Sequence, residues 1–453
     1  MSNITFSQAK LKGEARQNAI QTVQAQLQAA ALKAITPRLT SFLEAELQAK
    51  LGRARYEPRL VGTEPRLIDW QCGNYGCDDA NEFTRDGHYQ RSLETGWGHI
   101  SGLRVPMLEC QKCQHDVVAN WAILEKFKRF WLDLDQKVLF GTGLCQSLRQ
   151  LSQEWSSLIG GSVSLRTINE RINAVERLIE AERKLPIKDV PSVLQLDGIW
   201  LSLQTQDDST ETIKLDKRGR KRHRRTGKRM VVLVALGLWS DESGRRQILD
   251  WQLAESESQA EWEELLQRLY DRGVQAENGL KVVVRDGGGG LGEALSYVYD
   301  KTIADQRCIV HKLKNVNDAC LPNLAPETKR ELMGQAKAIY QAPAAEAAGE
   351  LLAKWVTKWG EVEPKAVASL QRDFEQTLTY YSLEARVRHL ARTTSLLERT
   401  NRELRRKFRQ VGMWGSEAGA VAGTYLQVAR LNTWWAKGSW WQTSQNLFFQ
   451  LLT

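Results

Sequence analysis

At 453 residues, the chain is long enough for two to four domains with a substantial buried core. Its 42% hydrophobic and 26% charged residues are ordinary for a folded globular protein and exclude a largely disordered one. No apolar run approaches the roughly 20 residues of a membrane span, and the amino terminus lacks a hydrophobic signal core, so we expect a cytoplasmic protein without a membrane partner.

The net charge and the cysteine count narrow the partners and the chemistry. A formal charge of +9 favours a polyanionic partner through phosphate neutralisation, although ribosomal and membrane-surface proteins share this balance. Seven cysteines are an odd number in a chain without a secretion signal. We therefore expect free thiols or metal ligands rather than a disulfide framework.

The first 188 residues divide into three predicted segments. Residues 1–65 form a helical segment, since apolar residues recur at helical spacing there, with a break predicted at Pro37. Residues 66–118 are rich in Gly, Cys and His, which suits a small β module held by a metal ion. Residues 119–188 return to helical periodicity.

Four cysteines in the second segment have the spacing of two metal-binding knuckles. They are Cys72 and Cys77 in CGNYGC, and Cys110 and Cys113 in CQKC. Four thiolates fit tetrahedral Zn²⁺, so the spacing predicts a zinc ribbon; the alternative is four reduced cysteines without a metal. Because the Cx4C pair is loose, a histidine could substitute for one thiolate, and the candidates are His88, His99 and His115.

Residues 148–175 resemble a helix-turn-helix. An amphipathic helix precedes a turn at Gly160 and Gly161, and a second helix is capped near Ser162 or Ser164. The alternative is a plain helical hairpin. The side chains expected to meet phosphates or base edges are Arg166, Thr167, Asn169 and Arg171.

From residue 191 the periodicity changes to that of strands. Three strand-like runs precede a helix, the strand KVVV, a second helix and the strand QRCIV, which gives the order βββαβαβ. This is the order of an RNase H-like α/β fold, although other mixed α/β folds could begin in this way. We assign residues 189–412 to this domain, with a helical insertion over 312–390 and an aromatic tail over 413–453.

Three carboxylates could converge in this domain. Asp197 lies inside the apolar strand LQLDGIW, where an unpaired carboxylate is costly to bury, and Asp286 ends a strand that would be its neighbour. Glu398 lies on a late, strongly periodic helix. Three carboxylates suit Mg²⁺ or Mn²⁺, and two such ions could activate water or a 3′-hydroxyl for attack on a phosphodiester. The alternative is that the aspartates cap turns and Glu398 pairs with Arg402.

Four motifs, in order, resemble those of bacterial insertion-sequence transposases of the Mutator-like superfamily. They are DGIW at 197, RDGGGGLGEAL at 285, QRCIVHKLKNV at 306 and RTTSLLERTNRELRRKFRQVG at 392. The resemblance covers roughly residues 190–412. It implies a DDE enzyme whose catalytic triad, and whose ligands for Mg²⁺ or Mn²⁺, are Asp197, Asp286 and Glu398.

The resemblance also assigns a CxxH pair and favours one of two glutamates. Cys308 and His311 are expected to support the active site without binding a metal. Glu398 is preferred to Glu403 because it directly follows the TTSLL stretch that corresponds to the family pattern, whereas Glu403 lies on a rotated face of the helix.

Basic residues form a dense run at 215–230, between the first two predicted strands. Such a run is normally a solvated loop, but at the tip of a hairpin beside the acidic residues it would grip the DNA backbone. A second basic track follows Glu398 along its helix face. The predicted DNA contacts are Lys217, Arg218, Arg220, Lys221, Arg222, Arg224, Arg225, Lys228 and Arg229 in the run, and Arg402, Arg405 and Arg409 on the helix.

Gly287, Gly289 and Gly292 match the GxGxxG spacing of a dinucleotide-binding turn. We take the match as incidental, because three strands precede it and Asp305, at the expected distance, precedes the QRCIV strand rather than ending it. The glycines at 287–290 are instead expected to let the DNA backbone and a metal ion approach the preceding aspartate.

The sequence thus predicts a DNA transposase that binds the ends of an insertion sequence, cleaves phosphodiesters with metal ions and transfers strands to target DNA. Its partners would be double-stranded DNA and further copies of the chain, in a dimer or a larger oligomer, and it would be associated with a bacterial nucleoid. Two alternatives remain open. One is a catalytically inactive, domesticated transposase that acts as a DNA-binding regulator, and the other is an RNase H-like nuclease without strand transfer.

Overall fold

The computed structural model describes residues 14–57, 72, 74, 77, 83–117, 119, 121–124, 132–159, 161–206, 214–215, 219, 221–222, 225–241 and 244–452. The chain divides into two compact units. The first consists of the described parts of Met1–Leu139 and Leu148–Ile168, and the second of Phe140–Ser147 and the described parts of Asn169–Thr453. No helix within these described ranges is long and apolar enough to cross a membrane.

The first unit is built from a long helix, an antiparallel sheet and shorter helices. Its elements are α1 (Glu14–Leu51), β1 (Phe83–Thr95), β2 (Gly98–Cys110), β3 (Asp116–Val117), most of α2 (Leu132–Gly143), α3 (Leu148–Ile159) and the start of α4 (Leu165–Asn173). The strands lie in the order β1-β2-β3. Leu39, Leu43 and Leu47 recur at one-turn spacing on α1 and enter the core of this sheet.

Pro37 lies inside α1 and does not end it, so the predicted break there is wrong. Proline removes one backbone hydrogen bond from a helix, in this case the bond to the carbonyl of Lys33. Burial of Leu39, Leu43 and Leu47 against the sheet outweighs this local cost, because each fully buried leucine contributes about 1.5–3 kcal/mol.

The second unit contains a mixed five-stranded sheet. Its strands are β4 (Val193–Gln206), β7 (Arg225–Leu238), β8 (Arg246–Ala254), β9 (Val282–Arg285) and β10 (Ala304–Arg307), and a small ribbon of β5 (Lys214–Leu215) and β6 (Lys221–Arg222) lies between β4 and β7 in sequence. The strand order is β10-β9-β4-β7-β8. β7 pairs antiparallel with β4 and β8, whereas β9 pairs parallel with β4 and β10.

Helices precede the first strand of this sheet and connect its later strands. α5 (Glu176–Arg183) precedes β4, α6 (Gln259–Asp271) follows β8, and α7 (Gly289–Tyr299) follows β9, so the main sheet and its connections have the predicted order βββαβαβ. The apolar faces of α6 and α7 share one core with the sheet, in which Leu265, Leu269 and Leu291 meet Leu194 and Val283.

The remaining helices follow β10. They are α8 (Ile309–Ala319), α9 (Pro326–Ile339), α10 (Ala345–Trp359), α11 (Pro364–Gln371), two 3-10 turns (Glu375–Thr377 and Thr379–Ser382), α12 (Ala385–Ala391), α13 (Ser395–Val411), α14 (Glu417–Trp435) and α15 (Trp440–Leu452). Residues 312–390, where a helical insertion is predicted, lie in α8 to α12, the two 3-10 turns and their connections. The aromatic tail also forms helices.

The strand that begins QRC is shorter than predicted. β10 ends at Arg307, and Cys308 is the residue before α8, so the CxxH pair spans the start of a helix rather than a strand. Asp305 lies within β10, not before it, and forms an ion pair with Arg285 at 2.6 Å. The apolar run CIV misleads because a helix and a strand cannot be distinguished over so few residues.

Candidate active site

Asp197 and Asp286 are carried to neighbouring positions by two parallel strands of the main sheet. β4 and β9 pair in parallel, and their register sets Gln195 opposite Val284. Asp197 is two residues beyond Gln195, and Asp286 is two residues beyond Val284. Asp286 follows the end of β9, whereas Asp197 lies within the longer β4, and the parallel register of the two strands brings these residues side by side.

The carboxylate of Asp197 is partly buried and held by neutral donors. Its Oδ1 accepts a hydrogen bond from the backbone N–H of Gly198 at 2.9 Å, and its Oδ2 accepts one from the side-chain amide of Asn401 at 2.7 Å. Burial raises the pKa of Asp197, and the carboxylate of Asp286 adds to the rise. The charge of His311 and the two hydrogen bonds oppose it.

A buried glutamine on β4 docks the segment around the start of α13. Gln195 is 1% exposed, and its amide donates to the carbonyls of Leu390 at 3.2 Å and Thr393 at 2.8 Å. Its Oε1 accepts the backbone N–H of Leu397 at 3.1 Å. One neutral side chain thus ties β4 to the end of α12, the following turn and the first turn of α13.

Two further contacts hold α13 along β4. Asn401 is fully buried where its amide reaches Asp197. Beyond the helix, the backbone N–H of Trp414 donates to the carbonyl of Ser202 at 2.8 Å. Glu398 precedes Asn401 by three residues, which places both on the same side of α13.

His311 lies next to Glu398. Its Nε2 is 3.8 Å from Oε1 of Glu398. A hydrogen bond with Cys308 raises the pKa of His311 to about 9, and the negative charges of Cys308, Asp197 and Glu398 add to the rise against the effect of burial. The histidine therefore neighbours a carboxylate on β4 and one on α13, which links the two segments electrostatically.

Cys308 packs against the turn that precedes α13. Its sulfur accepts hydrogen bonds from the hydroxyl of Thr394 at 3.2 Å and from the backbone N–H of the same residue at 3.3 Å. Burial alone would raise the pKa of the Cys308 thiol, but its hydrogen bonds with His311 and Thr394 outweigh burial and lower it. The CxxH pair thus contacts the segment that carries Glu398.

The alternative glutamate, Glu403, lies on another side of α13. It forms an ion pair with Arg406 at 2.9 Å, one turn further along the same helix. Three arginines on this helix are predicted to contact DNA. Arg402 and Arg409 are exposed, and Arg405 is partly buried.

A fourth carboxylate, unmarked by any sequence motif, lies beside the two aspartates. Glu257 is in the loop between β8 and α6, and burial raises its pKa, with Asp286 and Asp197 adding to the rise and a hydrogen bond from Trp200 opposing it. A Cβ at Gly198 would lie 2.5 Å from Oε1 of Glu257. Glu257 therefore approaches the backbone of the residue that follows the first aspartate.

Several glycines after Asp286 are fitted to the protein rather than to an open approach. A Cβ at Gly290 would lie 2.8 Å from the backbone nitrogen of Gln259, and at Gly287 and Gly292 it would meet arginine side chains. The expectation that these glycines leave an open approach is therefore wrong at Gly290, which packs against the backbone of Gln259. A Cβ at Gly289 would meet nothing within 4 Å, and Gly287, Gly288 and Gly289 line a cavity.

The four predicted cysteine ligands come together in the first unit. Their sulfur atoms all lie within 4.8 Å of one another, with 3.5 Å between Cys72 and Cys113 and 3.7 Å between Cys77 and Cys110. A hydrogen bond from the side chain of Asn74 lowers the pKa of Cys113, while burial and hydrogen bonds with the other three cysteines raise the pKa of Cys72. The cluster could hold a metal ion such as zinc.

Two of the three histidines predicted as possible substitute ligands pair with glutamates. His88 pairs with Glu44 at 2.6 Å, and His99 pairs with Glu94 at 3.1 Å. Across the described residues, the four cysteines are the one group of three or more Asp, Glu, His or Cys ligand atoms gathered within 4.8 Å. The cysteines therefore make a complete four-ligand set by themselves.

The predicted helix-turn-helix segment forms two helices joined by a short turn, α3 and α4. The hydroxyl of Ser164 accepts the backbone N–H of Thr167 at 3.0 Å, which caps α4 at one of the two serines expected. The hydroxyl of Ser152 on α3 donates to the carbonyl of Val163 at 2.6 Å and fixes the turn. Arg166 is exposed, whereas Thr167, Asn169 and Arg171 are partly buried.

The long β4–β7 hairpin carries the predicted basic run. The predicted contacts within the described residues are Lys221 and Arg222 in β6, and Arg225, Lys228 and Arg229 in β7. Lys228 forms an ion pair with Glu255, and the guanidinium of Arg229 lies 4.9 Å from the ring centroid of Trp200, which is 41% exposed. Lys217, Arg218, Arg220 and Arg224 lie outside the described residues.

Comparisons of this chain with a family model, with curated proteins and with solved structures all match transposases. The family model described as "Transposase, Mutator family" matches residues 68–438. The chain is 26% identical over 387 residues to the transposase for insertion sequence element IS905 of Lactococcus lactis, covering 84% of this chain and 83% of that one. It is 26% identical over 371 residues to the transposase for insertion sequence element ISRM5 of Rhizobium meliloti, covering 82% of this chain and 79% of the relative. A Drosophila P element transposase strand transfer complex aligns with 69% of this chain and 81% of its own at 10% identity, with a TM-score of 0.27, which is too low to support any statement about shared geometry.

Proposed function

The chain belongs to the Mutator family of transposases, and from this premise we propose that it binds the ends of an insertion sequence and catalyses metal-dependent phosphodiester cleavage and strand transfer. The observation that carries the proposal is the meeting of three carboxylate-bearing segments. Asp197 lies within β4, Asp286 follows the neighbouring parallel strand β9 in register, and α13, which bears Glu398, is bonded to Asp197 through Asn401.

We assign the sheet of the second unit to the RNase H-like fold. Three antiparallel strands followed by two parallel ones, in the order β10-β9-β4-β7-β8, support this assignment. The catalytic domain would cover residues 189–412, with its helical insertion over 312–390.

Asp197, Asp286 and Glu398 would form the catalytic triad. The parallel register of β4 and β9 supports the two aspartates. The contact of Glu398 with His311, whose pKa the charge of Asp197 also raises, supports the glutamate. Glu403 is disfavoured because it is paired with an arginine on its own helix.

The donor set fits Mg²⁺ or Mn²⁺. Burial and mutual repulsion raise the pKa of Asp197 and that of Glu257, and a hard divalent cation with oxygen ligands relieves such repulsion. Asp197, Asp286 and Glu398 would hold the ion. When bound, the ion supplies the charge that stabilises an in-line displacement at phosphorus.

The neighbouring residues would orient these carboxylates. Asn401 and the backbone N–H of Gly198 each donate one hydrogen bond to Asp197 and so would fix the orientation of its carboxylate. His311, whose pKa the hydrogen bond with Cys308 raises, would hold Glu398 through charge, and Thr394 would keep the CxxH pair against α13. These groups act through the triad rather than on the DNA.

We propose DNA contacts on three elements. The helix-turn-helix would recognise the element ends, the β4–β7 hairpin would grip the DNA backbone without reading sequence, and α13 would contact phosphates near the reacting bond. The side chains are those predicted in α4 (Arg166, Thr167 and Arg171), in the basic run, and on α13 (Arg402, Arg405 and Arg409).

The cysteine cluster would bind Zn²⁺ and form a zinc ribbon within residues 66–118. The complete set of four clustered thiols supports a structural site, because structural zinc sites are closed, four-coordinate and rich in cysteine. Since a transposase must hold two element ends, we further propose a dimer or a larger assembly on double-stranded DNA, in the bacterial cytoplasm at the nucleoid.

The test is to incubate the protein with DNA that carries the element ends and Mg²⁺, and to resolve cleaved and joined products. Asp197→Ala should abolish both products. Cleavage without joining would identify a nuclease instead, and binding without either product would identify a DNA-binding regulator.

A matched pair of variants tests the third carboxylate. Glu398→Ala should lower the cleavage rate at least about a hundredfold, since loss of even an indirect metal-supporting group costs 10–100-fold. Glu403→Ala should retain most of the rate. Full activity in Glu398→Ala would remove it from the triad.

A further inference from the structure

Glu257 has no role in the triad, yet it is placed between the two segments that carry the aspartates. Its Oε1 lies 2.5 Å from the position of a Cβ at Gly198, directly after Asp197 in sequence. Its backbone carbonyl lies 3.1 Å from the position of a Cβ at Gly290, in the helix that follows Asp286. Glycine at both positions lets the loop between β8 and α6 approach this closely, because any side chain would have to displace it.

We propose that Glu257 is a fourth metal-binding carboxylate of the active site. The inference rests on the proposed function and deepens it, since it adds a ligand from a loop that the triad leaves out. Glu257 would approach a bound cation from the loop before α6, and Glu398 would approach it from α13.

A second observation independently points to a cation. Asn401 is 0% exposed, and while its amide nitrogen donates to Asp197, its Oδ1 finds no hydrogen-bond donor among the described residues. A buried carbonyl oxygen without a donor costs about 1–3 kcal/mol. The cluster therefore presents oxygen acceptors in excess of donors, which is the environment that a hydrated divalent cation satisfies.

The charges around Glu257 fit the same conclusion. Burial raises its pKa, and the carboxylates of Asp286 and Asp197 raise it further. The indole of Trp200 donates a hydrogen bond to Glu257, but a neutral donor does not cancel the charge of three neighbouring carboxylates. If the role of Glu257 were only to hold this indole, a glutamine would serve as well.

The experiment measures Mn²⁺ binding by calorimetry to the full-length protein without DNA, with unfolding curves as a check on folding. Glu257→Gln should weaken Mn²⁺ binding about tenfold or more, and it should raise the midpoint of metal-free thermal unfolding because it removes a repelling charge. Gly198→Ala should also weaken Mn²⁺ binding, since the new methyl group displaces the Glu257 carboxylate while every charge is kept.

Glu255→Gln is the matched control, because Glu255 is two residues away in the same loop, is exposed and pairs with Lys228. It should bind Mn²⁺ as the wild type does. Wild-type Mn²⁺ affinity in folded Glu257→Gln, with binding lost in Asp197→Asn and Asp286→Asn, would overturn the proposal and leave the triad standing. Wild-type binding in all three variants would overturn the proposed catalytic metal site as well.

Discussion

The sulfur atoms of the four cysteines in the first unit already lie within 4.8 Å of one another, whereas the carboxylates of the second unit are brought together from loops and helices far apart in sequence. The cysteines come from two short knuckles, with S···S distances of 3.5 and 3.7 Å. The carboxylates lie within β4, after β9, after β8 and on α13, and those of Asp197, Asp286 and Glu257 repel one another.

The cysteine cluster and the carboxylates are therefore positioned in different ways. A structural metal ion holds its four thiolate ligands together, so the polypeptide around them can be short. Ionised carboxylates repel one another, and here neutral amides position the segments that carry them: Gln195 ties β4 to α13, and Asn401 ties α13 to Asp197. The acidic centre therefore depends on a large folded frame, and the cysteine centre depends on its own ligands.

The largest effect should follow from breaking the cysteine centre. Cys110→Ser should remove the metal and open the first unit, because a structural zinc site contributes on the order of 10 kcal/mol to folding. Metal analysis should find about one zinc per chain in the wild type, and limited proteolysis should cut the variant within residues 66–118.

Cys145→Ser is the control, since Cys145 lies in the second unit and outside the cluster. It should retain zinc and resist proteolysis. Zinc content and protease resistance that are unchanged in Cys110→Ser would show that the four thiols do not form the structural site.

The next effect should come from removing the frame of the acidic centre. Gln195→Leu leaves the carbonyls of Leu390 and Thr393 and the N–H of Leu397 without a partner. The loss of these three hydrogen bonds should lower the free energy of unfolding by an amount on the order of 3 kcal/mol. The urea transition of the second unit should shift accordingly, and DNA cleavage should fall with it.

Gln267→Leu on the exposed face of α6 is the matched control for this change. It should alter the free energy of unfolding by less than about 0.5 kcal/mol. Equal stability in the two leucine variants would mean that Gln195 does not dock α13.

The same contrast explains what the sequence could predict. The cysteine set is readable because its ligands lie in two short motifs, and the aspartates are readable because each ends or interrupts an apolar strand. Glu257 and Asn401 are not readable in this way, since their roles depend on which loop and which helix pack against β4. The only local sign is a polar residue in a buried position, such as Gln195 within VLQL.

The errors have similar causes. Pro37 was expected to break a helix, but burial of the helix beyond it decides the outcome. Glycines after Asp286 suggested an open approach for DNA, but Gly290 meets the backbone of Gln259. In each case a contact with a distant segment overrides the local preference, and such contacts are absent from a sequence pattern.

A smaller effect should separate two adjacent glycines beside the acidic centre. Gly290→Ala should destabilise the second unit by about 1–3 kcal/mol, because its Cβ would overlap the backbone of Gln259. Gly289→Ala should leave the stability unchanged or slightly higher, since its Cβ meets nothing within 4 Å and alanine favours helix. Urea denaturation measures both, and equal losses in the two variants would contradict the packing explanation.

The smallest effect concerns a buried cation on the helix that carries Glu398. Lys407 is 4% exposed, donates to the carbonyl of Gln146 at 2.9 Å, and has a pKa that burial lowers to about 8. Because the folded-state pKa lies below the usual 10.5, the charged lysine costs stability below pH 8, and this cost is relieved as the pH rises from 8 to 10.5. Lys407→Met should therefore be more stable than the wild type by about 1 kcal/mol at pH 7, after loss of the hydrogen bond.

The pH dependence distinguishes this explanation from simple repacking. The advantage of Lys407→Met should shrink between pH 8 and 10.5, as the wild-type lysine loses its charge. A variant that is less stable than the wild type at pH 7, by an amount constant across this range, would mean that the hydrogen bond to Gln146 outweighs burial of the charge. The predicted result would instead mean that α13 carries a charged side chain that costs stability, as the clustered carboxylates do. Neutral hydrogen bonds from Gln195 and Asn401 then hold the helix in place.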